Sequence, residues 1–559
     1  MGPPHAPRDC PWSLAGGGRR GRCHRPGGAG RPAAGSPGCR GGNTMSPSFL
    51  ALQLSRCRAT PSGALVAELP ADVTAVDIFK ALAQAPHRLF LDSAVIDGTA
   101  ANGSVAATGS APRLGRFSFV AADPVHSLTL VAPQPWGPAA ATAVGEAFSS
   151  IRTLLADLAC PTIPGLPPFQ GGIGGLVGYE AGLALLGIGP PEGTTSTMPL
   201  LSLHLYDVVF AFDHDLGKGW VISQGVPAKG PVARARLAAA RMDAILALLR
   251  GPCPTASTIP GRLPGSCQHA LSGHPGVFST HSPADYYAMV RAGIEFVRSG
   301  DIFQVNLAQR LAVAGEIDPT RLHLRARVVN PAPFAASFDA GTARITSMSP
   351  ERLLSVSRGM ARMHPIKGTR RVLASPEADL FAGDDLGASA KDRAENVMIV
   401  DLVRNDLSRV CTPHSVRVEA LCRLERYSTV QHLVSIVTGK LRPGLGPLDA
   451  LLAALPGGSV TGAPKHRACE IISSLEPFAR GAYCGSIGYL GLDGSADFNL
   501  LIRTFVAADG AVTFAAGGGI TAASDPGAEH AESLHKAEGM LRVLASLGRD
   551  ADVSNGSVP

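Results

Sequence analysis

Ile302-Phe303-Gln304-Val305-Asn306-Leu307-Ala308-Gln309-Arg310-Leu311-Ala312-Val313 alternates along its length. Phe303, Val305, Leu307 and Leu311 fall on one side, and Gln304, Asn306 and Arg310 on the other. A side-chain period of two means a β-strand. One face is apolar enough for a core. The other is polar without being highly charged, which suits the wall of a cavity. Upstream, Ser282-Pro283-Ala284-Asp285 supplies an N-cap serine, a proline at the first helical position and an acid at the third. That is a helix start, and the helix runs to about Arg298.

Outward from this strand, the pattern repeats in hairpin-like groups. Arg88–Ser93 and Arg116–Ala121 read as strands, and Leu201–Asp213 with Gly219–Gln224 as an antiparallel pair. Val73–Gln84 and Arg234–Leu249 read as helices. Gly171–Tyr179 reads as a glycine-dense turn into a helix. It is not a dinucleotide fingerprint, because no strand leads into it and Pro164, Pro167 and Pro168 crowd its approach. With few βαβ alternations and no internal repeat, the fold class expected is α+β: a two-layer antiparallel β-sandwich with helices packed outside. The expected divisions are a low-complexity tail over 1–59, an N-terminal region over 60–250, a linker over 251–280, a catalytic domain over 281–546 and a short tail over 547–559.

Charge and cysteine usage exclude several classes of function. The net charge is +6, but residues 1–44 hold seven Arg and one acid, Asp9, so the remaining residues sum to zero. No basic run with interleaved aromatics marks a nucleic-acid face. No apolar run approaches the ~20 residues that span a bilayer. The 11 Cys form no Cys-x-x-Cys pairs and no Cys/His spacing, which predicts reduced thiols, no zinc and a cytoplasmic setting. The Gly-, Pro- and Arg-rich tail reads as disordered, with Met45 as a possible true start.

Candidate chemistry lies in five places. Lys367 stands between Pro365 and Gly368, two residues that fix and free the backbone. Such a segment is usually a surface turn, but it can also present one lysine as a nucleophile if burial lowers the lysine's proton affinity. Asp392 and Glu395 share a helix face at i, i+3, and so do Glu529 and Glu532. Two such pairs could converge on Mg²⁺, a hard ion that takes carboxylate oxygens, or be two solvated faces, with Glu532 paired to Lys536. Pro456–Lys465 tempts a P-loop reading that fails for want of Gly-Lys-Ser/Thr; a glycine-rich wall against a small ligand fits. Arg503, read as a strand residue on the face of Asp497 and Asn499, can clamp a carboxylate. Gly517, Gly518 and Gly519, read as a turn after the strand Ala511–Ala515, can offer N–H groups to an anion.

Taken together, Gly300–Leu307, Ser349-Pro350-Glu351-Arg352, Lys391–Glu395, Asp401–Asp406, Thr461–Lys465 and Ile502-Arg503-Thr504 resemble the chorismate-utilising enzymes. These are component I of anthranilate synthase and of aminodeoxychorismate synthase, with the isochorismate and salicylate synthases as cousins. The likeness is strong over 282–546 and looser over 60–250. It implies a two-layer antiparallel sandwich and Mg²⁺ on the ring carboxylate of chorismate. Glu395 and Glu532 would be the nearest ligands, with Asp392 and Glu529 acting through water. It further implies Arg503 and Tyr483 on the enolpyruvyl carboxylate, Gly517–Gly519 at the ring carboxylate, His432 and Thr461 at the ring, and Glu351 as general acid.

The hydroxylating cousins carry lysine where this chain has Gln304, and anthranilate synthases usually read Pro-Ile-Ala-Gly-Thr where it has Pro365-Ile366-Lys367-Gly368-Thr369. Lys367 therefore resembles the aminodeoxychorismate synthase branch, in which the lysine is a covalent catalyst and the product leads to 4-aminobenzoate and folate. Anthranilate synthase component I is the alternative. A non-catalytic chorismate-binding subunit is another, which the intact Glu351, Lys367, Glu395 and Glu532 oppose. No glutaminase-like or lyase segment is present, so the resemblance implies ammonia from a separate glutamine amidotransferase subunit. Leu91-Asp92-Ser93 departs from the Leu-Glu-Ser of tryptophan-inhibited relatives, which leaves feedback control without support.

Overall fold

The computed structural model describes residues 57–554, apart from 94–114, 134–135, 195–197, 251–260, 316, 373–374, 376–382 and 427–429. Residues 1–56 of the expected N-terminal tail, Met45 among them, and the last five residues lie outside the described residues. Arg58–Ala59, expected in that tail, form a short strand paired with Leu65–Glu68, and the last helix runs to Ser554, into the expected C-terminal tail. Two antiparallel sheets form the molecule. The first has fourteen described strands and the second ten, and each draws strands from both sides of the 251–280 stretch. Within that stretch, His269–Ala270 and Val277–Ser279 extend the first sheet. Among the described residues no helix is long and apolar enough to cross a membrane.

The alternating strand runs Gln304–Ala314 and pairs along its length with Ala511–Ile520, from Val305↔Ile520 to Ala314↔Ala511. Val305, Leu307 and Leu311 are fully buried, whereas Phe303 lies just before the strand and is 72% exposed, so it does not join the core face. The helix Pro283–Arg298 begins as expected, with a capping box between Ser282 and Asp285. It buries Tyr286, Met289, Val290, Gly293 and Ile294 against this strand. A Cβ on Gly293 would come 3.0 Å from Leu307, so glycine sets how close helix and strand lie.

Between the sheets, Leu89, Phe119, Ala211 and Phe338 of the first meet Leu176, Ile487 and Tyr489 of the second. Helices Ala75–Ala81 and Pro231–Leu248 cover the first sheet near its N-terminal strands. Helix Pro526–Ser554 covers it near Ala511–Ile520. Helices Pro138–Asp157, Ala390–Ser408 and Pro447–Ala454 cover the second sheet. This is the α+β sandwich expected from the pattern of strands.

Four local expectations change. Gly172–Val177 is a strand inside the second sheet, not a turn. A Cβ on Gly172 or Gly175 would fall 2.2 Å from Leu490 O or 2.1 Å from Ser202 O, so the glycines serve close strand approach. Leu201–Asp213 is two strands in different sheets: Leu201–Tyr206 in the second and Val208–Asp213 in the first. The break is at Asp207, whose buried carboxylate accepts from Arg241 Nε at 3.1 Å. Gly517–Gly519 lie within the strand Ala511–Ile520, not in a turn after it. Arg503 is not on a strand; it sits at φ +52° just ahead of Thr504–Ala508, while Asp497 and Asn499 belong to Ala496–Asn499.

Candidate active site

Lys367 lies in the strand Ile366–Arg371, paired with Val430–Lys440. The register shifts between Lys367 and Thr369, and Gly368 takes φ +76°. A bulge of this kind re-aims a side chain. A Cβ on Gly368 would meet Leu386 at 2.8 Å and Asp392 at 3.1 Å. Lys367 thus faces a cavity of about 730 Å³ instead of bulk solvent. Its Nζ donates to the backbone oxygen of Ser459 at 3.3 Å. Burial pulls its pKa down, helped by the Lys536 ammonium and opposed by the carboxylates of Glu395, Glu351 and Glu532.

Ser459 joins the lysine to an acid. Its hydroxyl donates to Glu351 Oε1 at 2.7 Å. Glu351 is buried, and burial pushes its pKa up to about 7, against the pull of the Ser459 hydroxyl and the Lys367 charge. A carboxyl poised there is partly protonated near neutrality and can give a proton to a leaving group. Ser459 sits in the short turn Gly458–Val460 of the glycine-rich stretch. Sequence reasoning gave that stretch a backbone role only; its side chain carries no motif signal. Lys465, the residue that suggested a P-loop, is occupied elsewhere, with its Nζ 2.8 Å from Asp406.

Anion-binding groups line the same cavity. Arg503 and Tyr483 are both there. No carboxylate pairs with Arg503 among the described residues, and burial lowers its pKa. His432 is held neutral, its pKa driven to about 3 by burial and the nearby Arg503, with Nδ1 3.4 Å from Gly368 O. Gly517 and Gly519 complete the wall together with Asn306, whose place on the polar face of its strand the alternation had indicated.

Asp392 and Glu395 enter from helix Ala390–Ser408, and Glu532 from helix Pro526–Ser554. Among the described residues no three His, Cys, Asp or Glu form a ready metal cluster. The donors that do converge are all oxygens. The Lys536 ammonium bridges Glu532 Oε1 at 2.8 Å and Gly517 O at 3.0 Å, so a positive charge already fits between carboxylate and strand. These residues fit a hard divalent cation that takes the rest of its shell from substrate and water. Lys536, read from sequence only as a helix partner of Glu532, belongs to the site.

Three expected residues stand behind the wall. Thr461 is fully buried, its hydroxyl donating to Gly457 O at 2.9 Å. Glu529 is buried and accepts from Ser524 Oγ at 2.7 Å. Gly518 packs on it: a Cβ there would come 2.9 Å from Glu529 Oε2. Outside the cavity, Asp92 is fully buried, with Arg327 Nε at 2.8 Å and His323 Nε2 at 3.4 Å.

One cavity of the sandwich is thus lined by the carboxyl groups of Glu351, Asp392, Glu395 and Glu532, by Arg503 and Tyr483, and by the half-buried Lys367. The profile of the chorismate binding enzyme family matches residues 110–542, and the chain belongs to that family. It is 38% identical to anthranilate synthase component 1 of Streptomyces coelicolor over 77% of this chain and 81% of that one. It is 37% identical to aminodeoxychorismate synthase component 1 of Salmonella typhimurium over 77% of this chain and 90% of that one. The crystal structure of anthranilate synthase component I from Streptococcus pneumoniae superposes with a TM-score of 0.61 at 28% identity, covering 80% of this chain and 95% of that one.

Proposed function

We propose that the protein is an aminodeoxychorismate synthase component I, making 4-amino-4-deoxychorismate from chorismate and ammonia. Overall identity does not choose between the two kinds of relative, at 38% and 37%. The observation that carries the choice is Lys367 in the cavity, joined through Ser459 to the buried Glu351. Replacing the C4 hydroxyl by nitrogen with retained configuration takes two displacements, and a lysine amine can perform the first.

In the first displacement, neutral Lys367 bonds to C2 of the ring, the ring double bonds shift, and the C4–O bond breaks. Glu351 gives up its proton so that the oxygen leaves as water. Ammonia then bonds to C4, the double bonds shift back, and the C2–N bond to Lys367 breaks. One proton returns to Glu351. Arg503 and Tyr483 hold the enolpyruvyl carboxylate, and His432 stays neutral against the ring. Glu395 and Glu532 would hold Mg²⁺, with Asp392 and Glu529 behind them; the ion would neutralise the ring carboxylate. Ammonia would come from a glutamine amidotransferase subunit, and a reducing cytoplasm suits the free, mostly buried thiols of the described cysteines.

The test is the full chain with chorismate, Mg²⁺ and ammonium salt, products read by mass spectrometry. Aminodeoxychorismate is expected. Fluorescent anthranilate forming without an added lyase would make the protein an anthranilate synthase component I. Chorismate binding with no turnover would make it a non-catalytic subunit.

A further inference from the structure

Beneath the cavity lies an ion pair that the proposed chemistry does not use. Glu476 and Arg480 lie four residues apart, just beyond the helix Lys465–Leu475, with side chains 0% and 1% exposed. Arg480 Nε donates to Glu476 Oε2 at 2.9 Å and Nη2 to Oε1 at 2.6 Å. Glu476 Oε1 also accepts from Ala308 N at 2.9 Å. Of the remaining donors of the guanidinium, one points at Cys484 Sγ, 3.5 Å away, and two at different walls. Nη2 donates to Asn306 O at 2.8 Å, on the alternating strand. Nη1 donates to Val460 O at 2.9 Å, in the turn that carries Ser459. Its face lies over the ring of Tyr483, 5.6 Å from the centroid.

A buried ion pair is poor evidence of a stabilising role, since desolvating both charges offsets much of their attraction, and apolar pairs of similar volume often fold as well. The distinctive property of this one is its geometry. A rigid planar fork with donors in several directions can tie two segments at fixed separation. Here the segments are Asn306, which lines the cavity, and Val460, the neighbour of the serine that contacts both Glu351 and Lys367. Asn306 N also donates to Thr461 O at 2.8 Å, closing the loop between strand and turn.

We propose that Arg480, oriented by Glu476, is a positioning residue for the reaction: it fixes the Gly458–Val460 turn against the strand and so sets the Ser459 hydroxyl on Glu351, beside Lys367. The inference rests on the proposed roles of those two residues. The experiment is a double-mutant cycle on kcat in the ammonia assay, with Arg480→Lys and Ser459→Ala made singly and together. Lysine keeps the charge and loses the fork. Arg480→Lys is expected to lower kcat about tenfold or more. In the Ser459→Ala background the same change is expected to cost less than about threefold, because coupled residues are not additive.

An equal factor in both backgrounds, or an unchanged kcat, overturns the inference. Should Arg480→Lys not fold, the neutral pair Glu476→Gln/Arg480→Gln takes its place in the cycle and is judged by the same two factors. Lys367→Ala, run alongside, separates the two claims. If Lys367→Ala keeps full activity, the proposed chemistry falls; if it is inactive and the cycle is additive, only the role of Arg480 falls.

Discussion

Replacing Glu351 by glutamine should make the stability of the protein less sensitive to pH, by an amount the structure sets. Burial raises the Glu351 pKa from 4.5 to about 7. For a carboxyl raised on folding, the contribution to stability is fully present below the open-chain value and is lost as pH rises through the folded value. Between those values the unfolded chain gives up a proton that the folded chain keeps. The gap corresponds to about 3 kcal/mol in all, of which about 2.5 kcal/mol is lost between pH 5 and pH 8.5. Glu351→Gln keeps the shape and removes the ionisation. Urea unfolding of both proteins at those two pH values measures it. The variant should gain about 2.5 kcal/mol on the native protein from the lower to the higher pH. The same acid serves turnover: its protonated fraction drops from ~90% at pH 6 to ~3% at pH 8.5, so the alkaline limb of the kcat profile, where Lys367 is already neutral, should fall in proportion to that fraction. A stability difference that stays constant with pH would show that Glu351 is not held as a neutral acid, and its role as proton donor would go with it.

Other perturbations test the remaining walls. Lys367→Ala should slow aminodeoxychorismate formation by about 100-fold or more, the scale on which a group at the reacting centre acts, as measured by initial rates at saturating chorismate and ammonium. Arg503→Lys keeps the charge and loses the two-pronged hold on a carboxylate. With hydrogen bonds to charged groups worth about 1.5–3 kcal/mol, KM for chorismate should rise at least about tenfold in steady-state kinetics. Lys465→Met leaves the Asp406 carboxylate, 2% exposed, without its ammonium partner, and should lower unfolding free energy by about 3–5 kcal/mol in chemical denaturation.

The alternating strand could be read from its residues because its two faces differ in polarity, and a one-residue slip would turn Val305, Leu307 and Leu311 out of their apolar clusters toward the face of Gln304 and Asn306. The helix at Ser282 could be read because its cap is local. Gly172–Val177 could not, since glycine is normally chain punctuation, and its glycines answer to carbonyls of neighbouring strands, Leu490 O at Gly172 and Ser202 O at Gly175, that nothing in the local sequence announces. The single run Leu201–Asp213 hid a change of sheet, because both of its halves are buried and the switch at Asp207 depends on Arg241, 34 residues further on. In the site, Lys367, Glu351 and Arg503 sit in distinctive motifs. Ser459 does not: its partners are 92 and 108 residues away, and nothing near it in sequence points to either.

The strand Ala511–Ile520 shows why three glycines in a row belong to a site and not to a turn. Each meets a different neighbour. A Cβ on Gly517 would fall 2.0 Å from Leu307 O, on the paired strand. One on Gly518 would fall 2.9 Å from Glu529 Oε2, on the acidic helix, and one on Gly519 would fall 1.7 Å from Gln304 Nε2. With these side chains as they lie, the run comes close to the alternating strand, the acidic helix and Gln304 at once. That closeness lets the Lys536 ammonium reach both Glu532 and Gly517 O, and keeps the carboxylates of helix Pro526–Ser554 near the strand that lines the cavity. A larger residue at Gly517 would part the two paired strands, whereas one at Gly518 or Gly519 would push the Glu529 or Gln304 side chain out of its place. The glycine run is thus the counterpart of the bulge at Gly368: one brings the acidic helix to the cavity, and the other turns Lys367 toward it.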